Sequence, residues 1–360
     1  MNPESPRFTI VVSGYQNAPY LAKSLGSVKG QTFRDFEAIC YVEESTDGSL
    51  ETCRNLTADD PRFKVVSAPK SGAVAATRNY AIDHAAGEYL VVLDGDDWLA
   101  PGMLESLDAR IREAGTVDVI SFAAALVSSE DEPLETARRI SNFDAADAAD
   151  VFTGVEAIRR SYMRRGIDTH AQSWICSYRT AFLREHRLYQ SVGLIMEDFG
   201  WKPRVWFAAK RLVHIDSPLY AYRRRPGSIM SEKSGRIAVH VAKQFRILAG
   251  FALGQNVPED VMRIWGNEWG AMLYWFLFSP TSSRKVDRPA RAQALKTVFD
   301  GGGFRELRAI LRYASLPKRL LLPLLALARA GWHAPAIFFF RKIYYPLTER
   351  RSAKRTQIPR

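Results

Sequence analysis

The chain is poor in cysteine and in paired histidines, and each shortage excludes a class of site. Its three cysteines, Cys40, Cys53 and Cys176, follow no metal-ligand spacing. An odd number of cysteines argues against a disulfide framework and favours a reducing cytoplasm. The six histidines include no His-x-x-x-His pair, so the sequence does not predict a zinc site of that kind.

Long apolar runs are missing as well. No uncharged apolar stretch reaches the roughly 18 residues that span a bilayer, and residues 1–7 lack the apolar centre of a secretory signal. We find no internal repeat and no P-loop. The 360 residues are 47% hydrophobic and 25% charged, which predicts a globular chain with one large domain and an appendage, or two domains.

Positive charge is concentrated at one end of the chain. The net charge is +11, but residues 284–360 contain 18 Lys or Arg and only 4 Asp or Glu. That segment therefore carries +14, and the rest of the chain carries −3. This asymmetry predicts that the tail binds a membrane surface or a nucleic acid.

The first hundred residues alternate between strand and helix patterns. Residues 89–93 form an apolar run between two glycines, which is typical of a buried strand. Similar runs occupy residues 8–13, 36–42 and 63–66, and another strand is predicted near 117–126. Helices predicted between these strands indicate a parallel, doubly wound sheet.

Three carboxylates follow the run at 89–93. Asp94, Asp96 and Asp97 lie where open α/β sheets place their ligands, beyond the carboxyl end of a strand. Such closely spaced charges repel one another unless a cation neutralises them. Oxygen-only ligands suit Mn²⁺ or Mg²⁺, and a solvated turn is the alternative.

Six short motifs occur in an order that resembles a known family. They are IVVSGYQN at 10–17, SVKGQTF at 27–33, ESTDGS at 44–49, ATRN at 76–79, GEY at 87–89 and LDGDDW at 93–98. Together they resemble the N-terminal half of the family 2 inverting glycosyltransferases, over about residues 7–105. The resemblance implies a GT-A fold, which is an α/β, Rossmann-like and mostly parallel sheet flanked by helices. It also implies a nucleoside-diphosphate sugar donor and a divalent metal held by an Asp-x-Asp motif.

The resemblance assigns roles to individual residues. The implied metal ligands are Asp94, Asp96 and, as an auxiliary ligand, Asp97. The implied donor contacts are Ser13, Tyr15, Arg78 and Asp94, together with Glu43 or Glu44. Those two glutamates remain alternatives because the segment around them departs from the family pattern. Arg225, before Pro-Gly-Ser, resembles a basic residue that approaches the pyrophosphate, and a solvated basic loop is its alternative.

A second acidic pair supplies the candidate base. Inverting transfer needs a group that takes the proton of the acceptor hydroxyl, and the resemblance assigns this role to Asp198. Glu197 would orient Asp198 or contact the acceptor, whereas the alternative for both residues is an ordinary helix N-terminal turn. Trp174 and Trp201 are candidate acceptor contacts, with core packing as the alternative.

The predicted organisation has two parts. Residues 1–235 form the catalytic domain, with a nucleotide-sugar half at about 7–105 and an acceptor half at about 117–235. Residues 128–150 are predicted to be a polar loop over the site or a solvated connection. Residues 236–360 form a basic helical region whose last ten or so residues are disordered. Its short apolar stretches suit helices at a membrane interface, and packing on the catalytic domain or in a homodimer is the alternative.

These observations predict a metal-dependent inverting glycosyltransferase. The expected acceptor is a hydroxyl of a glycan or lipid-linked molecule in surface polysaccharide synthesis. The expected location is cytoplasmic, on the inner face of a bacterial plasma membrane. A nucleotidyltransferase on a similar sheet is one alternative. A nucleic-acid-binding protein is another, disfavoured because the positive charge is confined to the tail.

Overall fold

A computed structural model describes residues 5–72, 74–165, 172–224, 236–278, 288–299 and 303–313. It divides the chain into two compact units, Met1–Ser228 and Ile229–Arg360. The predicted domain boundary after residue 235, the donor contact Arg225 and the tail beyond residue 313 lie outside the described residues.

A ten-stranded sheet forms the first unit, in the order β3-β2-β1-β4-β9-β6-β10-β5, with β7 beside β6 and β8 beside β10. The strands are β1 Phe8–Gly14, β2 Phe36–Glu43, β3 Phe63–Ala68, β4 Tyr89–Asp94, β5 Trp98–Leu99, β6 Val119–Val127, β7 Arg138–Ile140, β8 Val151–Phe152, β9 Cys176–Arg179 and β10 Leu212–Arg223. Strands β1 to β4 are parallel, and so are β6 and β10. Strand β9 runs antiparallel between β4 and β6 and joins the two parallel parts.

Helices connect the strands of this sheet. They are α1 Ala18–Lys29, α2 Ser49–Thr57, α3 Ala75–His84, α4 Met103–Ala114, α5 Gly154–Arg165, α6 Thr180–Glu185 and α7 Glu197–Ala208. Strands β1, β4 and β6 are buried almost throughout, as expected for a sheet covered on both faces. The predicted α/β class with a mostly parallel central sheet is therefore confirmed.

Glycines at both ends of β4 allow the chain to lie against β1. A Cβ atom on Gly95 would lie 2.2 Å from the carbonyl oxygen of Ser13, and one on Gly87 would lie 2.3 Å from the backbone nitrogen of Thr9. No side chain fits at such distances. Both ends of β4 are thus held tightly beside β1, which places Asp94 opposite Ser13.

The segment at 128–150 differs from the prediction of a polar loop or a solvated connection. Residues 138–140 form β7 on the edge of β6, and residues 140–143 are buried. Phe143 packs against Phe152 and Trp206, with ring centroids 5.2 and 5.5 Å apart. Because Phe143 is one apolar residue among polar neighbours, the sequence pattern did not reveal this anchor.

The second unit is helical in its described part. Its helices are α8 Arg236–Gly254, α9 Glu259–Phe278, α10 Arg288–Phe299 and α11 Gly303–Leu311. One described helix, α8, is long and apolar enough to cross a membrane, but half of its most apolar stretch is buried inside the structure. Trp265 and Trp269 stack 5.4 Å apart, and Trp269 also contacts Phe245 of α8. These tryptophans therefore pack within the helical unit.

Candidate functional site

The carboxyl ends of β1 and β4 bring the first acidic motif together with the first loop. Ser13 Oγ donates a hydrogen bond to Asp94 Oδ1 at 3.2 Å. The side chain of Asp94 is 24% exposed, so it remains open to solvent on one side. Two predicted donor-site residues therefore meet at the edge of the sheet where open α/β sheets bind ligands.

Arg78, on α3, joins this edge to the second acidic motif. Its side chain is 4% exposed, and the guanidinium lies among three carboxylates. Nη2 contacts Asp94 Oδ1 at 3.2 Å, and Nη1 contacts Glu197 Oε1 at 2.6 Å and Asp198 Oδ1 at 2.9 Å. Glu197 and Asp198 begin α7, so the helix N-terminus and the site are the same place.

The charges in this cluster influence one another strongly. Burial disfavours a charged guanidinium, but Asp198, Asp94 and Glu197 outweigh it and raise the pKa of Arg78. Burial, together with the charge of Asp198, raises the pKa of Glu197 to about 7, while Arg78 acts in the opposite direction. Burial also raises the pKa of Asp94, with Arg78 opposing it and Asp96 adding to it. One arginine therefore leaves negative charge uncompensated at this edge, which favours a cation.

Asp97 is engaged by the protein on both carboxylate oxygens. Oδ2 accepts a hydrogen bond from the Tyr220 hydroxyl at 2.7 Å, and Oδ1 accepts one from the backbone N–H of Arg223 at 2.8 Å. The residue is 1% exposed, and burial raises its pKa well above the usual value. These contacts favour a structural role for Asp97 over the predicted auxiliary metal contact.

Two residues of β10 hydrogen-bond to the backbone of the acidic turn after β4, and the sequence motifs indicated neither of them. The Tyr220 hydroxyl oxygen accepts a hydrogen bond from the backbone N–H of Asp94 at 3.1 Å. Arg223 Nε donates to the backbone carbonyl of Asp96 at 2.8 Å, and its guanidinium lies 4.8 Å from the ring centroid of Trp98. The tyrosine- and arginine-rich end of β10 was a visible signal, but it led only to Arg225.

Asp94 and Asp96 fit the implied divalent metal. They supply two oxygen donors on one turn, the ligand type that Mg²⁺ and Mn²⁺ prefer. The described residues contain no cluster of three or more His, Cys, Asp or Glu suited to a metal. Two carboxylates suit an ion that takes its remaining ligands from substrate phosphates and water rather than from an all-protein cage. The pKa of Asp94 is raised, and a bound cation would lower it by stabilising the charged carboxylate.

The other predicted donor contacts divide into buried and exposed groups. Tyr15 is 37% exposed, and the ammonium of Lys70 lies 4.5 Å from the centroid of its ring. Glu43 is buried and accepts the backbone N–H of Ser71 at 3.1 Å as well as the Ser71 hydroxyl. Glu44 is exposed, so of the two glutamates it is the one open to a ligand.

The predicted acceptor contacts are less exposed than expected. Trp174 is 4% exposed and stacks on Tyr220, with ring centroids 4.6 Å apart. Trp201 is 2% exposed and donates its indole N–H to the carbonyl of Leu188 at 2.6 Å. Core packing, the alternative stated for both tryptophans, is favoured by these contacts. The ion pair with Arg78 likewise favours the orienting role for Glu197 over an acceptor contact.

Comparison with known families supports the same conclusion as this geometry. The sequence model of glycosyl transferase family 2 matches residues 9–185, a span that includes Arg78 and the acidic turn after β4. Residues 9–185 belong to this family. The protein is a glycosyltransferase, and nucleotidyl transfer, the alternative drawn from the sheet alone, is disfavoured.

Individual relatives agree with the family assignment. The chain is 28% identical over 238 residues to the glycosyltransferase GlyG of Streptococcus pneumoniae, covering 63% of this chain and 73% of GlyG. It is 27% identical over 262 residues to the putative glycosyltransferase EpsH of Bacillus subtilis, covering 71% and 72%. The structure of S. aureus TarS 1–349 in complex with UDP-GlcNAc superposes with a TM-score of 0.70 at 22% identity, covering 93% of this chain and 92% of that one. This likeness confirms the predicted GT-A fold.

Proposed function

We propose that this glycosyltransferase moves a sugar from a nucleoside-diphosphate sugar to a hydroxyl of a glycan or lipid-linked acceptor, with inversion and with the help of a divalent metal. The observation that carries the proposal is the position of Arg78. It contacts Asp94 on the donor side and Asp198 on the acceptor side. The proposed donor-site residue Asp94 and the proposed base Asp198 therefore belong to one buried ion-pair cluster.

Asp198 is the proposed base. As the acceptor oxygen forms its bond to the anomeric carbon, its proton moves to the carboxylate of Asp198. The bond from the anomeric carbon to the diphosphate oxygen breaks, and its electron pair leaves with the nucleoside diphosphate. Attack opposite the leaving group inverts the anomeric centre. The side chain of Asp198 is 15% exposed, which leaves it accessible at the surface of the cluster.

Asp94 and Asp96 would hold Mn²⁺ or Mg²⁺. When bound, the ion would stabilise the negative charge that develops on the departing diphosphate. Arg78 is already paired with three carboxylates, so we assign it to positioning the site rather than to neutralising the diphosphate. This assignment leaves the metal, with Arg225 as predicted from the resemblance, to balance the leaving group.

We propose that the enzyme works peripherally at the inner face of the plasma membrane, in surface polysaccharide synthesis. The surplus of positive charge at residues 284–360 supports this location, since each basic residue near anionic lipid contributes about 1 kcal/mol. Flotation of the full chain with anionic vesicles, but not with neutral vesicles, is the expected result. Equal recovery with both vesicle types would contradict the proposed location, and salt-sensitive RNA binding instead would favour a nucleic-acid partner.

The donor site is tested by calorimetric titration with a panel of nucleoside diphosphates, with and without Mn²⁺. TarS binds UDP-GlcNAc, so UDP is the first nucleotide to try. We expect Mn²⁺-dependent binding of one nucleotide by the native protein and its loss in Asp96→Ala. Failure of every nucleotide to bind to folded native protein would overturn the proposal.

A further inference from the structure

The segment Leu188–Gln190, between α6 and α7, is held by side chains from two helices of the site. All three of its consecutive backbone carbonyls accept a side-chain hydrogen bond. The donors are Trp201 Nε1 to Leu188 at 2.6 Å, Arg204 Nη2 to Tyr189 at 2.7 Å and Asn79 Nδ2 to Gln190 at 2.9 Å. Trp201 and Arg204 lie on α7, which begins with Glu197 and Asp198, whereas Asn79 follows Arg78 on α3. The segment thus braces the helix of the proposed base against the helix of its arginine partner.

A single side chain holds Gln190 at both of its backbone groups. The side chain of Asn79 binds both of its backbone groups, because Asn79 Oδ1 also accepts the Gln190 N–H at 2.8 Å. Gln190 is 4% exposed, and its amide points toward the charged cluster. Its Oε1 accepts from Arg78 Nη1 at 3.4 Å, and its Nε2 donates to Asp198 Oδ1 at 3.4 Å. Contacts of this length are weak one by one. The backbone clamp fixes the main chain from which the side chain extends, and burial restricts the rotamers of the amide.

Both hydrogen bonds that the described residues donate to Asp198 end on the same oxygen. Arg78 Nη1 and Gln190 Nε2 both reach Oδ1, at 2.9 and 3.4 Å. A carboxylate oxygen that already accepts charge-assisted hydrogen bonds is the poorer proton acceptor of the two. The other oxygen, Oδ2, is therefore the one suited to take the proton.

We propose that Gln190, clamped by Asn79, is a positioning residue that turns the Asp198 carboxylate so that Oδ2 faces the acceptor hydroxyl. The proposal rests on the proposed function, in which Asp198 is the base. It adds a residue that the motifs did not indicate. A carboxylate at position 190 would place a negative charge beside Asp198.

Two substitutions separate positioning from simple packing. Gln190→Leu keeps a similar volume but removes the donor to Oδ1. The kcat should fall about tenfold or more, which is part of the roughly 100- to 10,000-fold that a general base contributes. KM for the donor should stay within about twofold, because Gln190 does not reach the donor edge. Gln190→Glu places a like charge beside Asp198, which disfavours the charged carboxylate and moves the acidic limb of the kcat profile to higher pH.

A matched control lies on the same segment. Tyr189→Phe removes the hydrogen bond from the Tyr189 hydroxyl to Asp83 Oδ1 at 2.6 Å, on the exposed side. It leaves the Tyr189 carbonyl and its contact with Arg204 intact. The control should therefore keep the native kcat and pH profile, whatever small change it makes to the melting temperature.

The assay measures release of nucleoside diphosphate by hydrolysis of the nucleotide sugar that matches the bound nucleotide, with UDP-GlcNAc tried first. Water then takes the place of the acceptor hydroxyl. Rates are recorded from about pH 5 to about pH 9, and melting curves confirm that each variant is folded. If Gln190→Leu does not fold, the pH profile of the nearly isosteric Gln190→Glu tests the positioning role.

Asp198→Asn, assayed alongside, distinguishes failure of the proposed function from failure of the positioning role. Retention of hydrolysis by Asp198→Asn would overturn the proposed function itself. An inactive Asp198→Asn combined with a native rate in Gln190→Leu and a native pH profile in Gln190→Glu would overturn only the positioning role. The expected result is an inactive Asp198→Asn, a slow Gln190→Leu and a shifted profile for Gln190→Glu.

Discussion

Arg78 Nη1 lies 2.9 Å from Asp198 Oδ1, although 120 positions separate the two residues in the chain. The same guanidinium contacts Asp94 through Nη2 at 3.2 Å. A single cation on α3 therefore sets the distance between the proposed metal-binding turn and the proposed base. Displacing either carboxylate would remove one of the three partners of the buried guanidinium.

Arg78→Lys tests whether this cation holds the site together. A lysine ammonium is a single charge centre that cannot reproduce the two-pronged contact of a guanidinium. At least one buried carboxylate should then lose its partner, lowering the free energy of unfolding by about 3 kcal/mol or more. Chemical denaturation measures the loss, and the sugar-transfer rate should fall as well.

The control for Arg78→Lys is the same substitution at an exposed ion pair. Arg263 contacts Glu259 at 3.0 Å on the surface of α9, where its side chain is 61% exposed. Arg263→Lys should change the free energy of unfolding by less than about 1 kcal/mol. Equal losses for the two variants would contradict a special role for Arg78.

Much of this arrangement could be predicted because it follows from local pattern. The apolar runs of β1 and β4 end in polar residues, and parallel strands place their carboxyl ends at one edge of a sheet. This placement agrees with the donor contacts that the resemblance assigned to Ser13 and Asp94. The pairing register brings Ser13 opposite Asp94. For Asp198 the residues alone allowed only a helix N-terminal turn, and the family resemblance added the base. The structure shows that α7 begins at Glu197 and Asp198, so the helix N-terminal turn is observed, whereas the base role stays a prediction.

Other features depend on partners that are remote in sequence. The bond from Tyr220 to Asp97 spans 123 positions, and that from Gln190 to Asp198 is a choice of rotamer rather than a spacing. Composition also does not separate a tryptophan that stacks on sugar from one that packs in a core, as Trp201 illustrates. Its role became visible only when its indole N–H was found on the carbonyl of Leu188.

Asp198→Asn should abolish sugar transfer while sparing metal-dependent nucleotide binding. An amide is far too weak a base to take the acceptor proton, and Asp198 does not belong to the turn that would hold the metal. The test is a calorimetric titration with nucleoside diphosphate and Mn²⁺ beside a transfer assay. Loss of nucleotide binding in folded Asp198→Asn would assign this carboxylate to the donor site instead.

Asp97→Asn separates a structural carboxylate from a metal ligand. The amide has one accepting oxygen where Asp97 uses two, for the Tyr220 hydroxyl and the Arg223 backbone N–H. We expect the free energy of unfolding to fall by about 1–3 kcal/mol, while Mn²⁺-dependent nucleotide binding is retained. Tyr220→Phe removes one of the same hydrogen bonds and should destabilise the protein in the same direction. Native stability with lost nucleotide binding in Asp97→Asn would restore the metal role.

His214 gives the fold a pH dependence that is separate from catalysis. It is fully buried on β10, beside Phe143 at a centroid distance of 5.3 Å, and burial lowers its pKa from 6.5 to about 4. Between those values the unfolded chain binds the proton and the folded chain does not, so stability is full above about pH 6.5 and falls as the pH drops. From about pH 6.5 to about pH 5 the loss should be about 2 kcal/mol, at roughly 1.4 kcal/mol per pH unit. His214→Leu should lack this component of the pH dependence, measured by denaturant unfolding at the two pH values. An unchanged pH dependence in the variant would mean that another group causes the loss.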